Sequence, residues 1–160
     1  TAGKTPLRVA GVEVLDGSYT IGLDPLYDTT ANEAGGFDYT VYQCRDSQKL
    51  SGSITADYED TGIVYSGMPS GWNYVKAFIK SKLGVLFPKL IGGSSTTYFK
   101  SAFYGTASAG VRCPWRFAAL SDGGSAGLAA EVGYYAPGGS SWYGRPRLCG
   151  AGKKRGEWSA

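Results

Sequence analysis

Apolar and polar positions trade places along this chain in two distinct rhythms. Phe37, Tyr39 and Val41 alternate with Asp38, Thr40 and Tyr42, the period-2 signature of a half-buried strand. Residues 7 to 14 (LRVAGVEV) alternate less regularly but are rich in β-branched side chains, which predicts an early strand with Tyr19 to Leu23 as its partner. The stretch from Tyr27 to Gly36 reads as polar and turn-rich, and Gln43 to Thr55 as loop with a short strand or turn. After Ser70 and Gly71 the rhythm changes. Trp72, Val75, Phe78, Ile79 and Leu83 recur at spacings of three and four, which predicts a helix with one apolar stripe turned to the core and Gly84 as its stop. Lys76, Lys80 and Lys82 then fall on the solvent side. From Val85 onward short apolar pieces are divided by glycine, serine and proline, and Phe99 to Tyr104, Val111 to Leu120 and Leu128 to Val132 are the predicted strands. The sum is an α+β pattern: mixed short strands, one or two helices and much loop.

Length and composition narrow the picture. The 160 residues suffice for one compact domain with a real core and are too few for two ordinary ones, so a single domain over 1–160 is expected. Twenty-five glycines and 12 tyrosines against one methionine favour turns and a polar-aromatic surface over helix. A net charge of +3 is too slight for a nucleic-acid footprint, and Lys153, Lys154 and Arg155 read as a solvated tail. No stretch approaches the roughly 20 apolar residues of a membrane helix, and Thr1 opens nothing like a signal peptide. The expectation is therefore a domain with neither a nucleic-acid partner nor membrane insertion.

The absence of histidine removes the serine and cysteine triads, histidine acid–base work and histidine metal sites together. The remaining carboxylates, lysines, cysteines and tyrosines form no recognisable catalytic arrangement, so no enzyme and no cofactor are expected. Cys44, Cys113 and Cys149 lie too far apart for a zinc motif and read as buried thiols. Asp57, Glu59 and Asp60 are the densest acidic group, but they lack the alternating ligands of a calcium loop and read as a polar turn or helix start. Gly123, Gly124 and Gly127 have neither the lysine of a phosphate loop nor full dinucleotide spacing.

The order LGVLFP, IGGSSTTYFKSAFY, GVRCPWRFAAL, GGSAGLA, YYAPGGSSWY and RPRLCG, over roughly Trp72 to Cys149, resembles the variable proteins of diversity-generating retroelements. The resemblance implies a C-type lectin fold and a ligand-binding protein displayed on a virion or cell surface. Its C-terminal segment, about 115–149 here, would be rewritten by mutagenic reverse transcription at template adenines. Family templates are Asn-rich at mutable positions, and the lack of any Asn after Asn73 fits a diversified copy. Carried over by position, the variable sites are Phe117, Ser121, Asp122, Ser125, Gly133, Tyr134, Tyr135, Gly138, Gly139, Ser141 and Tyr143. Trp115, Gly127, Leu128, Ala136, Pro137, Trp142, Arg147 and Leu148 fall where the family keeps its framework. The stretch Tyr143 to Arg147 departs from the commoner family ending.

Composition supports recognition independently. Tyr134, Tyr135, Trp142 and Tyr143 join broad apolar faces to polar tips, and the Gly and Ser between them allow close approach, as in antibody loops. The expected partner is a protein or glycan receptor on a host or target cell, with a homo-oligomer as a further expectation. The calcium motifs of sugar-binding lectins are absent, and so no metal is expected. Formylglycine-generating enzymes share a related fold, but Cys113 and Cys149 lack other catalytic cues. A second reading is a structural viral tail or coat component whose glycine-aromatic surface mediates assembly.

Overall fold

A computed structural model describes residues 7–9, 12–14, 19–81, 86–94, 96–97, 101–117, 130–139 and 144–146. Their regular structure consists almost throughout of strands. In chain order they are β1 (Leu7–Val9), β2 (Val12–Val14), β3 (Tyr19–Ile21), β4 (Leu26–Ala31), β5 (Phe37–Cys44), β6 (Tyr58–Met68), β7 (Gly71–Lys80), β8 (Leu86–Ile91), β9 (Ala102–Gly105), β10 (Gly110–Arg112), β11 (Trp115–Phe117), β12 (Glu131–Val132) and β13 (Gly144–Pro146). The one helical piece among the described residues is a 3-10 turn at Ser47–Lys49, capped by the Asp46 carboxylate, which accepts from the Gln48 amide at 2.9 Å.

The α+β class is thereby corrected, and with it the C-type lectin fold and the helices it carries: the described chain is nearly all β-sheet. The decisive segment is the predicted helix from Trp72, which is strand β7 through Lys80. Its composition explains the outcome. Trp, Tyr, Val, Phe and Ile favour the pleated, half-buried surface over a helix. Register shifts between Val75 and Ala77 and between Ala77 and Phe78 break the period-2 alternation, leaving apolar residues at spacings that imitate a helical stripe. Lys76 and Lys80 are solvent-exposed, as the helix reading also required. The acidic group is not a helix start either: Asp57 sits in the turn before β6, while Glu59 and Asp60 lie within that strand.

Other differences concern partners and ends. Leu7–Val9 pairs antiparallel with Val12–Val14, β1 with β2, and β3 pairs with β11 and β13 instead. Leu26–Ala31, which overlaps the stretch from Tyr27 read as polar and turn-rich, is strand β4. The predicted strand at Val111 to Leu120 is divided into β10 and β11 by Cys113 and Pro114, and the two pieces enter different sheets. A proline contributes no backbone donor, which suits this crossing point.

Strands in the order β10-β4-β5-β6 form one sheet, and β13-β3-β11-β12-β9-β7-β8 form a larger mixed one. Alternation along β4, β5 and β6 turns Tyr27, Tyr39, Val41, Ile63 and Tyr65 inward, where they meet Val75, Phe87 and Phe103 of the larger sheet. The rings interlock edge to face, for example Tyr39 on Phe103 at 5.4 Å and 81°. A second cluster lies elsewhere and gathers Leu26, Cys44, Tyr58, Cys113, Trp115 and Val132, with Leu50 and Ile54 from the loop before β6 packed against it. Cys44 and Cys113 are buried thiols with no disulfide, as expected; Cys149 lies outside the described residues.

Candidate functional site

Register in the larger sheet sorts its residues into two transverse rows. Trp72 pairs with Tyr104, Tyr104 with Val132, Val132 with Trp115 and Trp115 with Ile21, so these five share one face. One residue along each strand, Asn73, Phe103, Glu131 and Arg116 share the other. The first row is apolar and joins the second cluster; the other joins the aromatic core and carries charge.

Chain leaving β12 crosses the first row. Gly133 donates its amide to the Tyr104 carbonyl at 3.0 Å, and the Cys113 amide donates to the Tyr135 carbonyl at 3.0 Å. Gly139 closes a turn on the Ala136 carbonyl at 2.8 Å. These three bonds suspend Tyr134 and Tyr135 above the sheet. Tyr135 stacks on Trp115 with centroids 3.9 Å apart and planes 20° apart, while Tyr134 stands perpendicular to both Tyr135 and Tyr104. Tyr104 in turn meets Trp72 edge to face at 5.1 Å. A continuous run of five rings therefore climbs from Trp115, 1% exposed, through Tyr135 to Tyr134, 41% exposed, and returns through Tyr104 to Trp72. Pro137 comes close to Gly52, so the loop before β6 borders the same turn.

The predicted variable residues separate here. Tyr134, Gly138 and Gly139 are exposed and Tyr135 is half-buried. Gly133 is buried: a Cβ there would stand 2.5 Å from the Phe103 ring and 3.2 Å from that of Tyr39, so it is a packing position and presents nothing to a ligand. Phe117 is placed by its backbone at the end of β11. Ser121, Asp122, Ser125, Ser141 and Tyr143 lie outside the described residues, as do Gly127, Leu128, Trp142, Arg147 and Leu148 of the framework. Trp115 is core, as a framework position requires, while Ala136 is exposed and Pro137 half-buried. Trp72 and Tyr104 were missed as surface residues, because only the register brings them beside Tyr134.

Beneath the site, the charged row is knit into the core. The Tyr27 hydroxyl donates to Glu131 Oε1, and Arg116 Nε lies 3.3 Å from Glu131 Oε2. Burial, followed by the Glu131 charge, pushes the Tyr27 and Tyr65 phenols well above their ordinary range. For Arg116 burial acts downward, but the Glu131 carboxylate and the neighbouring phenols outweigh it and hold the guanidinium charged. Tyr39 is pushed up to about 12, chiefly by burial, although its hydroxyl accepts from the Thr106 amide and donates to the Gly133 carbonyl at 3.4 Å. Arg112 is spent on structure: its guanidinium donates to the Ser108 and Ala109 carbonyls, each at 2.9 Å, and fixes the loop before β10.

These groups offer no nucleophile with an activating base. Among the described residues no three His, Cys, Asp or Glu side chains stand together as a metal site. No helix among them is long and apolar enough to cross a membrane. No protein family, curated protein or solved structure matches the chain.

Proposed function

We propose that this chain is a ligand-recognition protein, displayed on a virus particle or cell surface, whose C-terminal segment is diversified by a retroelement. The observation that carries the recognition part is the suspended turn: Tyr134 is held outward by hydrogen bonds at Gly133, Tyr135 and Gly139 while its neighbour stacks into the sheet. Backbone bonds that do not depend on side-chain identity tolerate exchange at Tyr134 and Gly138 without loss of the frame. The diversification part rests on the ordered motifs between Trp72 and Cys149 and the lack of Asn after Asn73. Binding would be recognition without bond chemistry.

The test is the DNA flanking the gene. A near-duplicate of the stretch encoding Trp115 to Cys149, differing only at adenines of the second copy, is the expected finding. Among the described residues, differences should fall at Tyr134 and Gly138 and spare Gly133. Absence of any repeat, or differences scattered without regard to base, would remove the diversification.

A further inference from the structure

We propose that the lip formed by Trp72, Tyr104 and Tyr134 is a stacking site for a neutral glycan, taken up without a metal ion. This deepens the recognition reading and rests on it. Trp72 and Tyr104 belong to strands β7 and β9, outside the segment assigned to diversification, so the site pairs a constant aromatic wall with a variable turn.

Charge gives the first argument. Segments 69–75, 101–111 and 132–139, which build the lip and its turn, contain no Asp, Glu, Lys or Arg, nor does the bordering stretch 51–56. Among the described residues of these segments a phosphate, a sulfated or uronic polymer or an acidic peptide would find no cation, and a basic ligand no carboxylate. What the lip does offer is aromatic surface, the Tyr134 hydroxyl and the exposed main chain of Gly138 and Gly139. A neutral sugar ring complements this set: its C–H face carries slight positive potential toward the negative π face, and its hydroxyls bond to phenol and peptide groups.

Size gives the second. A specific protein interface buries about 800 Å² per partner around an apolar centre. The exposed large apolar residues among the described positions are Val64, Leu90 and Tyr134, and the first two sit on β6 opposite Thr40 and on β8 opposite Ala77. Among the described residues one exposed ring, Tyr134, followed by half-buried Tyr104 and Trp72 in a row, matches a sugar unit or two. Edge-to-face contacts at 5.1 Å and 5.8 Å fix the three rings before any ligand arrives, so little rotamer entropy remains to be lost on binding.

The test is affinity electrophoresis of the whole chain in native gels containing dissolved neutral polysaccharides (a glucan, a galactomannan, a xylan), with alginate and heparin as anionic counterparts. At least one neutral polymer should retard the chain, unaffected by EDTA or high salt. Tyr134→Ala should weaken the effect about tenfold, the equivalent of one aromatic contact. Trp72→Phe, which keeps a ring and so guards against misfolding, should diminish the tryptophan emission shift that accompanies binding, and an undiminished shift would remove Trp72 from the site. Retardation by none of the neutral polymers, by the anionic ones alone, or undiminished in Tyr134→Ala would overturn the proposal. So would binding to cell envelopes that protease destroys and periodate leaves intact, which would assign a protein partner. A template repeat with no glycan binding would leave the recognition reading standing and sink only this one.

Discussion

Gly133 and Gly138 are five residues apart in one glycine-aromatic stretch, yet they have opposite tolerances. An added methyl at Gly133 meets Phe103 and Tyr39 within the core, whereas at Gly138 it meets nothing within 4 Å. Gly133→Ala should therefore destabilise the fold by about 1–3 kcal/mol, the usual cost of overpacking, and Gly138→Ser should stay within about 0.5 kcal/mol. Urea unfolding of both variants checks this; equal midpoints would refute the placement of Gly133. At this scale the composition of the site was legible, since clustered Tyr with Gly advertises a recognition surface. Which glycine is buried was not legible, because the answer depends on a ring 30 residues away in sequence and adjacent only through the β9–β12 pairing.

Among elements, β5 was the easiest to read because Tyr39 and Val41 face one core and Thr40 and Tyr42 do not, which preserves strict alternation. β7 was the hardest. It passes from a pairing with β9 to one with β8, carries two register shifts and presents partly covered residues on both faces, so no single period survives in its sequence. Partners were invisible for a related reason: nothing local in Tyr19–Ile21 records that its neighbours are β11 and β13. The rung from β12 to β11 allows an element-scale prediction. Arg116→Met would leave the Glu131 carboxylate buried without its cation, at a cost of about 3 kcal/mol. Adding Glu131→Gln should restore much of that loss, because the amide keeps an acceptor for the Tyr27 hydroxyl. A denaturant double-mutant cycle showing no recovery would argue against the pair.

For the whole molecule, the aromatic core makes stability depend on alkaline pH. Tyr27, Tyr39 and Tyr65 have phenols raised above the ordinary value of 10.0, Tyr39 to about 12. Since the folded values exceed the unfolded ones, this contribution to stability is complete below pH 10 and declines as pH rises above it, the share of Tyr39 being lost through about 12. Phenolate absorbance should show these three ionising only together with the loss of near-ultraviolet dichroism. Independent ionisation near pH 10 with the fold intact would contradict their burial. A packed core was foreshadowed by the chain's apolar content; that it divides into two clusters built by strands and loops, with no α-helix among the described residues, was not.

The seating of β3 between β11 and β13 also matters for how the chain is made. On the ribosome β3 emerges early, but both strands that satisfy its backbone are encoded far downstream, whereas β4, β5 and β6 meet their partners almost at once. The smaller sheet can begin to assemble during translation, while β3 must wait with open hydrogen-bonding edges. Synthesis that stalls before β11 would expose those edges to neighbouring nascent chains, so a product truncated there should be more prone to aggregate than one that includes β11 and β13.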